Sequence, residues 1–154
     1  MSLDAGDRIP DFTLPTDGGG TVSSADLRGR TTVIYFYPKD DTPGCTKEAQ
    51  AFRDALDPFA AAGVSIVGVS PDSAARHDKF KAKYALNFTL AADTDTALAK
   101  AFGVWVEKSM YGKKYMGIER STFLVDGEGV IRKAWRKVKV AGHAAEVLAA
   151  ARSL

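Results

Sequence analysis

The chain is poor in the residues on which disulfide and metal chemistry depend. It has one cysteine and two histidines in 154 residues. A single thiol excludes an internal disulfide and any multi-cysteine metal site, and His77 and His143 are too few for a histidine-rich metal centre. No stretch approaches the roughly 20 apolar residues that span a bilayer. Residues 1–10 carry Asp4, Asp7 and Arg8 and no apolar run, so they do not read as a signal peptide. Neither sign of charge dominates: 21 basic and 19 acidic residues leave a net charge of +2, too balanced for a nucleic-acid binder. Lys108–Lys114 and Arg132–Lys139 read as a loop and a solvated strand face. Zinc-finger, P-loop and RNA-binding signatures are missing. The expectation is a cytoplasmic protein with no metal, no membrane and no nucleic acid.

What is present is ordinary in bulk and specific in order. A content of 45% hydrophobic and 26% charged residues suits one domain over residues 1–154 with one core. Asp11–Leu14 and Thr21–Ser23 flank the glycine run Thr16–Thr21 as a hairpin. Thr31–Tyr37 is β-branched and aromatic throughout, a strand covered on both faces, and Pro38 ends it. Ala49, Phe52, Leu56 and Phe59 then recur at helical spacing, which predicts a helix over Pro43–Ala62 with a kink or break near Pro58. Val64–Val69 reads as a strand, Asp72–Tyr84 as a helix, Phe88–Ala91 as a strand and Asp95–Phe102 as a helix. Glu107–Gly117 reads as a polar loop. Ser121–Val125 and Val130–Trp135 flank the hairpin signal Asp126–Gly129, and Ala141–Ser153 closes the chain as a helix. This order is that of an α/β thioredoxin-like fold with a mixed central sheet, an N-terminal β-hairpin and an inserted strand and helix.

Cys45 falls where a strand has ended and a helix begins. A lone cysteine is usually a small buried hydrophobe, but this position changes the reading. Thr42 suits the N-cap, Pro43 the first helical position, and Gly44 keeps the backbone open to approach. A sulfur there lies beside unpaired N–H groups and the positive end of a helix dipole, which favours thiolate over thiol. Thiolate is the form that attacks a peroxide oxygen.

Cleaving an O–O bond develops negative charge on the departing oxygen and calls for fixed donors. The N–H groups of Gly44 and Cys45 and the Thr42 hydroxyl are candidates, together with an arginine, which stays charged and presents several donors in a plane. Arg120 immediately precedes a strand; Arg28 and Arg30 read as turn residues, and Arg53 lies eight residues beyond Cys45 on the helix. Spacing alone leaves the choice among them open. Glu48, three residues after Cys45, shares its helical face and is placed to orient an arginine or simply to favour the helix start. Gly44 and Glu48 are therefore substrate-side candidates. His77 and His143 read as surface residues or caps. Phe36, Tyr37, Phe88, Trp105 and Tyr115 read mainly as core, with a pocket for bulky hydroperoxides as the alternative.

The run Tyr35–Ala49 (YFYPKDDTPGCTKEA) resembles the active-site signature of peroxiredoxins, most of all the peroxiredoxin Q or bacterioferritin comigratory protein type. The wider pattern Pro-x-x-x-Thr/Ser-x-x-Cys falls on Pro38, Thr42 and Cys45. A second match runs from Tyr111 to Asp126 (YGKKYMGIERSTFLVD) and places the family's active-site arginine at Arg120. With Ile9–Phe12 near the start, the resemblance covers essentially the whole chain. It implies reduction of hydrogen peroxide and organic hydroperoxides without a cofactor. In that scheme Cys45 is the peroxidatic cysteine and forms a sulfenic acid. Thr42 hydrogen-bonds peroxide and thiolate, Arg120 stabilises both, and Pro38 shields the thiolate. A monomer or weak dimer is the implied assembly.

One departure matters. Many members carry a resolving cysteine five residues after the peroxidatic one; here that position is Gln50. An external thiol must then finish the cycle, from thioredoxin, glutaredoxin, glutathione or a second subunit. Competing readings are a thiol–disulfide oxidoreductase, which normally uses Cys-x-x-Cys where this chain has Thr42–Cys45, a silent thioredoxin-like binding domain, and a Cys–His hydrolase.

Overall fold

Glycines at Gly18 and Gly19, with φ of 74° and 78°, turn the chain back so that Thr13–Pro15 (β1) pairs antiparallel with Thr21–Ser23 (β2). A computed structural model describes residues 2–154. Thr31–Phe36 (β3) follows, then the helices Pro43–Asp54 (α1) and Leu56–Ala61 (α2). Val64–Ser70 (β4), Ala74–Tyr84 (α3), Thr89–Ala92 (β5) and Ala97–Phe102 (α4) come next. Trp105–Met110 (β6), Lys113–Ile118 (β7), Ser121–Val125 (β8), Ile131–Trp135 (β9) and His143–Arg152 (α5) complete the chain. The main sheet has the order β5-β4-β3-β8-β9. Strand β4 runs parallel to β3 and β5, and β8 runs antiparallel to β3 and β9. The expected mixed sheet, N-terminal hairpin and inserted strand and helix are all present.

β3 is apolar on both sides because it is buried on both sides. Val33 and Tyr35 face a core built with Phe52 of α1, Phe59 of α2, Phe80 of α3 and Val147 of α5. Ile34 and Phe36 face a second core with Phe102 of α4, Phe123 of β8 and the N-terminal residues Ile9, Val22 and Leu27. Phe36, Tyr37 and Phe88 are core, whereas Tyr115 is exposed and Trp105 half-buried.

Several expectations shift. The helix expected over Pro43–Ala62 does break, but at Ala55 (φ −93°, ψ 1°), three residues ahead of Pro58, and so forms two helices. Pro58 has no N–H to offer the Asp54 carbonyl and its ring would clash with it, so the helix ends early and Pro58 sits in the first turn of α2. The polar loop over Glu107–Gly117 is instead the antiparallel hairpin β6–β7. Its two-residue turn is Tyr111-Gly112, both at positive φ (53° and 78°), which matches the twist of the strands it joins. The histidines expected at the surface are buried: His77 is 0% and His143 5% exposed. His77 lies three residues before Phe80, on the helix face turned to the sheet. His143 Nε2 lies 2.8 Å from Thr122 Oγ1.

Gly68 of β4 stands directly beside Tyr35 of β3. A Cβ there would lie 2.9 Å from Tyr35 Cζ. The ring has no room to retreat, being stacked between Phe52 (4.7 Å) and Tyr37 (5.4 Å). Gly68→Ala is expected to destabilise the protein by about 1–3 kcal/mol through overpacking; a denaturant midpoint equal to wild type would contradict this packing.

Candidate active site

Thr42 has extended backbone angles (φ −102°, ψ 155°) and occupies the N-cap of α1, with Pro43 following as the first helical residue. The Thr46 N–H donates to the Thr42 carbonyl at 2.8 Å and closes the first turn. The N–H groups of Gly44 and Cys45 lie ahead of that bond, where a helix has no carbonyl to offer them. The Thr42 hydroxyl does not cap the helix as expected; it donates to the Lys39 carbonyl at 2.8 Å. Its proton is thereby committed to Lys39. Pro38 is half-buried directly after Tyr37, where the chain leaves the sheet. Cys45 is 2% exposed.

Arg120 reaches Cys45 because of strand pairing. It directly precedes β8, and Ser121 of β8 lies opposite Phe36 at the end of β3. The strand that leads to Arg120 and the strand that leads to the Cys45 loop thus meet at one edge. Arg120 Nη2 donates to Cys45 Sγ at 3.3 Å, and Nη1 donates to Glu48 Oε1 at 2.6 Å. A Cβ on Gly44 would lie 3.3 Å from Arg120 Nη2, so the missing side chain leaves room for the guanidinium. The structure brings Cys45, Gly44, Glu48 and Arg120 together, and chooses Arg120 where spacing leaves four arginines open.

The electrostatics follow from burial. Burial pushes the Glu48 carboxyl up to about 7, and the Arg120 charge and hydrogen bond pull it back only in part. Glu48 Oε2 is buried without a partner. Burial works against the Arg120 charge, but Glu48 and Cys45 outweigh it and hold the guanidinium above its ordinary value. The Tyr35 hydroxyl is also buried and unpartnered. Burial, with the Glu48 and Cys45 charges added, raises it well above 10. Lys108 of β6 is a second cation at the site that the sequence pattern does not reveal, because its neighbours read as a solvated loop. Burial and the Arg120 charge lower its pKa. Among the described residues no group of three or more acidic, histidine or cysteine side chains is arranged to hold a metal. No helix there is long and apolar enough to cross a membrane.

A thioredoxin-like sheet presenting a single cysteine at a helix start, under an arginine, defines a thiol peroxidase of the peroxiredoxin class. Comparison with known proteins agrees. The AhpC/TSA family model matches residues 5–134. Peroxiredoxin Bcp of Bacillus subtilis is 53% identical over 148 residues, 96% of this chain and 94% of that protein. Peroxiredoxin Bcp of Xanthomonas campestris is 54% identical over 140 residues, 91% of this chain and 88% of that protein. The solved Xanthomonas campestris bacterioferritin comigratory protein superposes with a TM-score of 0.92 at 50% identity, covering 97% of this chain and 98% of that one. A cysteine mutant of PrxQ from Xylella fastidiosa superposes at 0.95 with 40% identity, covering 99% and 98%. The chain belongs to the AhpC/TSA family, and within it to the peroxiredoxins of the Bcp or peroxiredoxin Q type. It is an enzyme, a thiol peroxidase.

Two outcomes follow from the Arg120 geometry. Arg120→Lys keeps the charge but cannot span Glu48 and Cys45 at once. The second-order rate with hydrogen peroxide, measured by stopped flow, should fall about 10- to 100-fold, the scale of one lost charge-assisted hydrogen bond. The second concerns pH. With its folded pKa raised from 4.5 to about 7, Glu48 contributes stability that is fully present below pH ~4.5 and is lost as pH rises through ~7. Wild type should lose on the order of 3 kcal/mol relative to Glu48→Gln between pH 4.5 and 8. Parallel denaturation curves of the two proteins across that range would contradict the assignment.

Proposed function

We propose that Cys45 is the peroxidatic nucleophile and that Thr42, Arg120 and Pro38 shape its reaction, with residues 1–154 acting as one domain. The observation that carries this reading is the 3.3 Å contact of Arg120 Nη2 with Cys45 Sγ at the first turn of a helix. The thiolate attacks the terminal oxygen of ROOH. The S–O bond forms as the O–O bond breaks, giving Cys45 sulfenic acid and RO⁻, which takes a proton and leaves as ROH. Arg120 and the free N–H groups of Gly44 and Cys45 stabilise the charge that moves from sulfur to oxygen. Thr42, with its own proton turned to Lys39, accepts the hydrogen bond of the peroxide OH. Glu48 holds Arg120 in plane. Hydrogen peroxide and organic hydroperoxides are the proposed substrates; the Xanthomonas relative is described by its alkyl peroxide reduction activity.

The second half of the cycle needs another molecule. Cys45 is the one cysteine of the chain, so an outside thiol resolves the sulfenic acid, from thioredoxin, glutaredoxin, glutathione or a second copy. A protein thiol must wait for the first turn of α1 to open, because Cys45 is 2% exposed. The working unit is proposed to be a monomer in the cytoplasm, where reducing thiols are abundant.

Peroxide consumption with dithiothreitol is expected to be fast in wild type and absent in Cys45→Ser. After one equivalent of peroxide, mass spectrometry should show a gain of one oxygen, then a mixed disulfide once the reductant is added. Equal slow consumption by both proteins would remove Cys45 from the mechanism. A sulfenic acid that survives every thiol tried would remove the external resolution step.

A further inference from the structure

Behind the active-site loop lies a buried acid–imidazole pair that the chemistry above does not use. Asp40 is 3% and His77 0% exposed. His77 Nδ1 lies 2.6 Å from Asp40 Oδ2, and Nε2 lies 3.0 Å from the Ala91 carbonyl of β5. The Tyr37 hydroxyl donates to Asp40 Oδ1 at 2.6 Å, and the Asp40 N–H donates to Asp72 Oδ2 at 2.8 Å. Both imidazole nitrogens therefore face acceptors. A neutral ring has one N–H and would turn a lone pair toward either the carboxylate or the carbonyl; the imidazolium donates to both. The other titratable groups facing His77 are Tyr37 at the end of β3 and Asp72 in the turn after β4. Asp72 is itself paired with Arg76 at 3.1 Å.

We propose that the Asp40–His77 ion pair positions the loop that holds Cys45, by fixing from inside the course of Lys39–Thr42. Asp40 lies two residues after Pro38 and two before Thr42. The other anchors of this loop are weaker or local. Asp41 binds Lys83 Nζ at 2.8 Å and the Tyr84 hydroxyl at 2.6 Å, but Lys83 and Asp41 are 58% and 41% exposed, and pairs of this kind contribute little. The Thr42–Lys39 bond closes the loop on itself without tying it to the sheet. Of these anchors, among the described residues, Asp40 alone joins the loop to the interior, and its charge partner is a group that titrates. Burial disfavours the charged ring, but the Asp40 hydrogen bond and charge outweigh it and hold His77 above 6.5. The clamp is therefore complete below pH ~6.5 and is released as pH rises through the raised folded value. Once the ring is neutral, a buried carboxylate remains with no cation, and the loop relaxes outward to solvate it.

The test combines two measurements on the reduced, intact protein. NMR of the His77 ring nitrogens reports its protonation, and stopped flow gives the rate of Cys45 oxidation by hydrogen peroxide from pH 6 to 9.5. The rate is expected to rise as thiolate forms, then fall on the alkaline side at the pH where His77 loses its proton. Asp40→Asn should move both the titration and the fall to lower pH and slow the reaction about tenfold at pH 7.5, the scale of one lost charge-assisted hydrogen bond. Asp41→Asn, the same change one residue along on the surface, should leave both curves as in wild type. A rate that stays level through the His77 titration overturns the proposal, as does an Asp40→Asn protein with the wild-type profile. If Asp40→Asn does not fold, the coincidence of the two wild-type curves decides alone. The proposal rests on Cys45 being the nucleophile: no oxidation of Cys45 at any pH would overturn both readings, whereas oxidation with a level profile overturns this one only.

Discussion

A guanidinium offers two nitrogens in one rigid plane, and here that plane joins groups far apart in the chain. Arg120 touches Cys45 across 75 residues and Glu48 across 72. The contact has three separate conditions. β8 must lie antiparallel beside β3, so that the residue before Ser121 arrives where the Cys45 loop begins. Position 44 is best without a side chain, since a Cβ would press on the guanidinium at 3.3 Å. Glu48 must be buried on the same helical face as Cys45 to hold the far side of the plane. Strand order, a glycine and helix periodicity thus converge on a single side chain, which sets the electrostatics of the site.

That convergence has a cost in stability. Glu48 Oε2 and the Tyr35 hydroxyl are buried without partners, and such atoms are uncommon in folded proteins. They are coupled to the site: the Glu48 and Cys45 charges act on Tyr35, and Glu48 binds Arg120. A site assembled for stability alone would satisfy or remove these groups. Their survival fits a fold that gives up some stability to keep charge where a reaction needs it.

Features of the molecule that depend on neighbours along the chain are legible in the amino-acid sequence. The strand ending at Pro38, the N-cap position at Thr42, the helix start at Pro43 and the thiol at Cys45 form one continuous local pattern. Features that depend on long-range pairing are not legible in this way. Spacing leaves Arg28, Arg30, Arg53 and Arg120 open, and the motif resemblance, not the bare spacing, points to Arg120. The hairpin β6–β7 is hidden because lysines interrupt its alternation and a tyrosine precedes the turn glycine, where asparagine or aspartate is the usual signal. Lys108 is hidden with it. His77 is masked by Arg76, Asp78 and Lys79, although its distance of three from Phe80 marks the buried face. Asp40 and Asp41 are the same residue type side by side, and only tertiary packing turns one inward and the other outward.

Cys45 is the chain's one thiol, and under the proposed cycle this fixes the kinetic order of its recovery. A tethered second cysteine acts at an effective concentration on the order of millimolar or more, whatever surrounds the protein. Without one, the oxidised molecule meets its next thiol only by encounter, and the waiting time scales inversely with how much thiol is in solution. The fraction of oxidised chains then depends on the ratio of peroxide arrival to thiol supply. Under that cycle the oxidation state of one sulfur atom follows the balance of two concentrations.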